Sequence, residues 1–195
     1  MSQKKKQAYT EDKIKTLSSL EHIRLRTGMY IGRTGSGAHY DDGIYILVKE
    51  VIDNGIDEFI MGHGERINVS IEEDMVTIRD FGRGIPLGKV VDCVSKINTG
   101  AKYNDDVFQF SVGLNGVGTK AVNALSTYFL VRSHREGEFV EAEFEGGNLV
   151  REEKGETDEP NGTLVSFSPD PAIFKKFAFN PEHLARRLRF YAYLN

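Results

Sequence analysis

Four segments in a row read as strands: "TYFLVRSHRE" at 127–136, "EFVEAEFEGG" at 138–147, "NLVREEKGE" at 148–156 and "GTLVSFSPD" at 162–170. Upstream come helical patterns, one hairpin, then more helical patterns. This order points to an α+β sandwich with an antiparallel or mixed sheet. It does not fit the regular βαβ alternation of a doubly wound fold.

The hairpin is "RINVSIEEDMVTIRDFG" at 66–82. Ile67, Val69 and Ile71 alternate, "EED" turns, and Val76 and Ile78 alternate on the way back. Ahead of it, residues 42–61 predict a helix whose apolar stripe is Ile44, Leu47, Val48, Val51, Ile52, Ile56 and Phe59. Gly62 and Gly64 end it. Thr10 is a plausible cap for short helical turns carrying Ile14, Leu17, Leu20 and Ile23, and "TGMYIGRTGSGAHYDDG" reads as a glycine-rich loop. "KVVDCVSKIN" predicts a short amphipathic helix and "GTKAVNALS" a helix beginning near Val117. Asn180 and Pro181 open a closing helix. Residues 1–10 read as a flexible arm, and 11–195 as one domain cut from a longer chain.

Composition removes several function classes. With 39% hydrophobic residues, 12 Phe and 8 Tyr, the chain can build a core. The lone Cys93 excludes an internal disulfide and fits a reducing cytoplasm. No apolar run approaches the ~20 residues that span a bilayer, so no membrane partner is expected. A net charge of −4 argues against broad phosphate-backbone binding by this segment alone. His22, His39, His63, His134 and His183 show no ligand spacing with each other or with Cys93. A nucleophile elbow is also absent.

Three stretches can carry chemistry. On the 42–61 helix, Glu50, Asn54 and Asp57 share one narrow sector, with Asp53 and Glu58 beside them. Helix acids commonly mean a solvated face. Here Ile46 lies in the same sector, and Asn54 is a poor helix former in the interior, which tips the balance slightly toward a site. In "RDFGRGIP", Asp80 ends a strand, and Gly82 and Gly84 bracket Arg83. An ordinary strand-to-loop turn has this composition. A carboxylate there can also accept a hydrogen bond from an exocyclic amine, with Ile85 and Pro86 as apolar walls. "GLNGVGTK" leads straight into a helix, where backbone N–H groups favour a phosphate. Its order departs from both the P-loop and the dinucleotide fingerprint, and a plain turn explains it equally well. "GRTGSG" at 32–37 is a rival loop.

Taken together, "EVIDNGIDE", "DFGRGIP" and "GLNGVGTKAVNALS", with "RTGMYIG" ahead and Gly162–Thr163 behind, closely resemble the ATPase domain of bacterial type IIA topoisomerase B subunits. The resemblance runs from about Tyr9 to the end of the chain. It implies the Bergerat ATP-binding fold: a two-layer α+β sandwich of a mixed, largely antiparallel sheet with helices on one face. ATP and Mg²⁺ are the implied cofactors. Glu50 would be the general base, and Asn54 the Mg²⁺ ligand. Asp80, helped by Thr163, would receive the adenine amine. Glu58 and Arg83 would pair beside the adenine, and Gly84, Ile85 and Pro86 would wall it. Lys102 with Gly113, Leu114, Asn115, Gly116, Val117, Gly118 and Thr119 would cover the phosphates. Tyr9 would reach the nucleotide of a partner copy, and Arg135 would stand at the pocket mouth where aminocoumarin inhibitors bind.

The implied partners are a second B subunit on ATP binding, the topoisomerase A subunit, and DNA through other domains. Departures from the family pattern are Ile46, where many relatives carry histidine, Phe81 in "DFGRG", Phe108 and Asn115. They suggest a topoisomerase IV-like protein, with gyrase still open. Because a later domain supplies a lysine to the γ-phosphate in this family, the segment alone is expected to bind ATP, hydrolyse it poorly and stay largely monomeric. Two other readings stand beside this one: a nucleotide-gated dimerisation module with little catalysis, and a chaperone or mismatch-repair ATPase of the same superfamily.

Overall fold

The computed structural model describes residues 16–97, 99 and 116–194. The arm at 1–10 and Thr10 lie outside them. Six strands among the described residues form one sheet: β1 (Ile67–Glu72), β2 (Met75–Asp80), β3 (Ser126–Arg135), β4 (Glu138–Glu145), β5 (Asn148–Glu156) and β6 (Gly162–Pro169), in the order β1-β2-β6-β3-β4-β5. Every described pairing is antiparallel. The largely antiparallel sheet is therefore present, and no parallel pair occurs among the described residues.

Cross-strand register explains the core. Val76, Phe167, Phe129 and Phe144 form one row across four strands. Ile78, Val165, Val131 and Ala142 form the next. All eight are buried. Residues opposite one another share a face, and side chains alternate faces along each strand. Asp80, two residues beyond Ile78, therefore falls on this same inner face at the end of β2. The far edge, β5, is exposed along nearly its whole length. Its Arg151 pairs with Glu141, Glu143 and Glu153, a charged edge that discourages pairing with another sheet.

Among the described residues, seven α-helices accompany the sheet: α1 (Ser19–Leu25), α2 (Thr27–Ile31), α3 (Gly43–Ile60), α4 (Val90–Ser95), α5 (Gly118–Ala124), α6 (Pro171–Phe174) and α7 (Pro181–Leu194). α3 packs on β2 and α5, and α5 packs on α1, α4 and β3. Six residues of the expected α3 stripe are buried; Phe59, in its last turn, is exposed. α1 starts at a capping box, in which Ser18 Oγ accepts from Glu21 N–H and the Glu21 carboxylate accepts from Ser18 N–H. The stretch read as a loop contains α2. At five residues with Gly28 inside, α2 is too short for periodicity to reveal. None of the helices among the described residues is long and apolar enough to cross a membrane.

The rival glycine loop has a structural task. Asp42, at the N-cap of α3, is fully buried and accepts from Gly37 N–H, His39 N–H and Arg33 Nε. A Cβ on Gly35 would collide with that carboxylate. The loop wraps Asp42 and does not reach the cleft described below.

Tyr45, fully buried on α3, donates to Gly37 O at 2.6 Å and accepts from Asn180 N–H at 2.9 Å. It ties the loop and the start of α7 to α3. Tyr45→Phe strands both partners and should cost about 1–3 kcal/mol in urea unfolding. An unchanged unfolding midpoint would show that these bonds contribute nothing net.

Candidate functional site

A cleft of about 420 Å³ opens between α3, the end of β2, the β3–β6 pair, α4 and the start of α5. Three separate stretches converge on it. α3 contributes Glu50, Asn54 and Glu58; the turn after β2 contributes Asp80, Arg83, Gly84, Ile85 and Pro86; the start of α5 contributes Gly116, Gly118 and Thr119. Arg135 and Thr163 complete the set from β3 and β6.

Asp80 is held by the backbone around it. Its Oδ1 accepts from Gly82 N–H at 3.0 Å and Thr163 N–H at 3.1 Å. Burial pushes the Asp80 carboxyl above the ordinary carboxylate range. The two N–H donors and Arg79 oppose that shift, and Glu58 adds to it. Gly162, beside Thr163, has no room for a Cβ because the Asp80 carbonyl occupies that space. Gly84 has φ +77°, and a Cβ there would stand 2.6 Å from His134 O.

Glu58 and Arg83 form a two-pronged pair. Arg83 Nε donates to Glu58 Oε2 and Nη2 to Oε1, each at 3.0 Å, while Arg83 N–H donates to Oε2 at 2.9 Å. This joins α3 rigidly to the turn after β2. Phe81 faces elsewhere, between the Arg66 guanidinium at 4.2 Å and that of Arg79 at 4.8 Å.

At the other end, Asn54 Nδ2 lies 3.4 Å from Thr119 Oγ1, a long contact that turns the carboxamide toward the start of α5. Glu50 lies directly against Gly118, whose missing side chain leaves the space that a Glu50 carboxylate oxygen fills. Ile46 packs half-buried against the core and does not line the cleft.

Other expected residues stand away from the cleft or outside the described residues. Val117 caps α5 and packs on the core; it is not among the cleft-lining residues. Tyr9, Lys102, Gly113, Leu114, Asn115 and Phe108 lie outside the described residues. Asp57 is buried but does not reach the cleft, whereas Asp53 does.

Lys120 joins the site without having been expected there. It is buried, and its ammonium donates to Thr99 O at 2.7 Å and Gly116 O at 2.5 Å, tying α5 to two points of the chain ahead of it. Its signal in the sequence is the "GTK" triplet, whose order is not that of a P-loop. Cys93 and Val94 also line the cleft from α4, and burial pushes the Cys93 thiol up.

A family model described as "Histidine kinase-, DNA gyrase B-, and HSP90-like ATPase" matches residues 39–173. The B subunit of DNA topoisomerase 4 from Borreliella burgdorferi is 61% identical over 191 residues, which cover 98% of this chain and 32% of that protein. The B subunit of DNA gyrase from Thermotoga maritima is 42% identical over 199 residues, covering 95% and 30% respectively. Among solved structures, the 43K ATPase domain of Thermus thermophilus gyrase B in complex with an aminocoumarin superposes with a TM-score of 0.74. It is 34% identical, and the match covers 91% of this chain and 46% of that one. The chain spans about a third of the length of the curated relatives it matches.

The raised Asp80 carboxyl has a consequence for stability. A carboxyl whose folded-state pKa lies above its unfolded value favours folding while protonated, and that contribution is lost as pH rises through the folded pKa. Asp80→Asn keeps the Oδ1 acceptor and removes the charge. The variant should therefore unfold at higher urea than the wild type at neutral pH. The gap should close as pH falls toward about 4. A gap that stays constant with pH would mean that Asp80 ionisation does not burden the fold.

Proposed function

The chain belongs to the histidine kinase-, DNA gyrase B- and HSP90-like ATPase family, and on that premise we propose that it is the ATP-binding and hydrolysing domain of a type IIA topoisomerase B subunit. The observation that carries this reading is the meeting of Asp80, Asn54 and Glu50 in one cleft, although 30 residues of sequence separate Glu50 from Asp80. The greater identity to a topoisomerase 4 relative than to a gyrase relative favours topoisomerase IV.

The cleft suits a nucleotide. Its volume falls within the range of small-molecule sites, about 300–1,000 Å³. At the inner end, Asp80 takes the exocyclic amine of adenine, with Thr163 beside it. Gly84 lets a flat ring approach the backbone, and Ile85 and Pro86 cover it. Arg83, held by Glu58, borders the ring, and Arg135 stands at the mouth. The gyrase B neighbour was solved in complex with an aminocoumarin, which supports reading this chain as a target of the same inhibitor class.

The phosphates would run toward Gly116, Gly118 and Thr119. Asn54 offers a single hard oxygen ligand, which suits Mg²⁺, an ion that keeps several waters and is held chiefly by substrate phosphates. When bound, the metal neutralises phosphate charge. Glu50, braced against Gly118, orients a water and accepts its proton as the water oxygen bonds to the γ-phosphorus and the bond from that phosphorus to ADP breaks. Tyr9, Lys102, Gly113, Leu114 and Asn115 belong to the same reading as an exchanged arm and a phosphate cover. In it, 11–195 is one cytoplasmic domain behind a 1–10 arm. ATP binding pairs two B subunits, and the rest of the subunit, with the A subunit, passes DNA.

Two substitutions test this reading. Glu50→Ala in the full-length protein should leave affinity for a non-hydrolysable ATP analogue within about twofold and lower turnover at least about 100-fold. Undiminished turnover would remove Glu50 from the base role. Asp80→Asn should weaken ATP and an aminocoumarin together in calorimetric titration, because the amide has one acceptor oxygen, held by Gly82 and Thr163 N–H, and puts an NH₂ donor where a second acceptor stood. Unchanged affinity for both would show that Asp80 does not read the base.

A further inference from the structure

Beside the proposed base, α3 carries a chain of contacts that the roles above leave unassigned. The Lys49 ammonium donates to Asp53 Oδ2, one helical turn on. It also stands 3.9 Å from Glu50 Oε1. Asp53 is 1% exposed, and its other oxygen, Oδ1, accepts from the Tyr191 hydroxyl, which comes from α7. Burial and the bond to Asp53 raise the Tyr191 phenol, so its oxygen keeps the proton it donates.

Neighbouring residues on a helix point about 100° apart, so Lys49 and Glu50 do not face each other by default. A lysine ammonium is a flexible, strongly hydrated point charge that usually turns to water. Here the buried Asp53, one turn on along the same face, holds it within reach of Glu50, and Tyr191 fixes Asp53 through its other oxygen. The Glu50 carboxylate is then bounded twice: Oε1 lies near the ammonium, and Oε2 lies against Gly118.

We infer that Lys49, tethered by Asp53 and Tyr191, is the positioning residue that sets the orientation of the Glu50 carboxylate for the attacking water. The inference rests on the reading of Glu50 as general base. It gives the cleft a support for Glu50 from its own neighbour and from α7. It also makes that support depend on how α7 sits, since Tyr191 is the link between them. Lys49 touches neither nucleotide nor water in this scheme; it acts through Glu50 alone.

The test uses the full-length protein, with ATP turnover and calorimetric affinity for a non-hydrolysable ATP analogue measured on each variant. Lys49→Met should lower kcat about tenfold, the scale on which a mispositioned catalytic group loses rate, while analogue affinity stays within about twofold. Lys49→Arg, which keeps a cation able to reach both carboxylates, should recover most of the rate. Tyr191→Phe should lower kcat in the same direction, and Lys49→Met with Tyr191→Phe should lose less than the product of the two single effects. Unchanged kcat in Lys49→Met overturns the inference, as does a parallel fall in kcat and analogue affinity or equal loss in Lys49→Arg. Glu50→Ala separates the two levels. If it retains turnover, the base reading fails and this inference fails with it. If it abolishes turnover while Lys49→Met does not, only this inference fails.

Discussion

An eighteen-residue helix laid on a sheet can bury one side, and α3 spends that side on Ile44, Leu47, Val48, Val51, Ile52 and Ile56. Most of the site follows from this. Burying the stripe fixes the roll of the helix, and the roll turns Glu50, Asn54 and Glu58 toward the cleft beside it. The sheet makes the complementary contribution. Because β2 pairs with β6 in the register Ile78 to Val165, Asp80 emerges at the strand end next to Thr163 N–H. Packing of apolar groups thus sets the positions of polar ones, and the Glu58–Arg83 pair locks helix and strand end together.

Close approach is the second constraint. The distance between α3 and α5 is set where Glu50 meets Gly118, and any side chain at 118 would displace the carboxylate. This explains why a glycine-rich start to α5 matters without appeal to flexibility: the missing Cβ is the space that Glu50 fills. Lys120 then ties the same segment down through two carbonyls, Thr99 and Gly116, so a buried ammonium serves as a backbone fastener.

These two constraints also mark what the sequence could reveal. The α3 stripe, the alternating strands and the place of Asp80 at a strand end are legible because each repeats a period or sits at a boundary. Short elements are not: α2 and α6 hold five and four residues, less than the window over which periodicity has meaning. Among site residues, Glu50, Asn54 and Asp80 are readable only as a constellation, since each alone has an ordinary explanation. Lys120, Cys93 and Asp53 escape for a different reason. Their place at the cleft depends on tertiary partners: the Thr99 carbonyl for Lys120, the packing of α4 for Cys93, and Tyr191 of α7 for Asp53. In sequence Asp53 is one more acid on a polar face; its depth and its partner from 138 residues away set it apart.

The buried acids carry a further implication. Asp53 and Asp57 are withdrawn from water and Asp80 partly so, on or beside one helix, an arrangement that costs stability unless each is answered by donors. Asp53 is answered from both sides, by Lys49 and Tyr191. Asp80 is answered on one oxygen by two backbone N–H groups, and its carboxyl stays above the ordinary range. The contrast separates their roles. A carboxylate whose two oxygens are both taken by protein donors is a structural anchor, and it suits the tethering of a neighbour. A carboxylate with both backbone donors on one oxygen keeps hydrogen-bonding capacity toward the cleft, at a cost in stability.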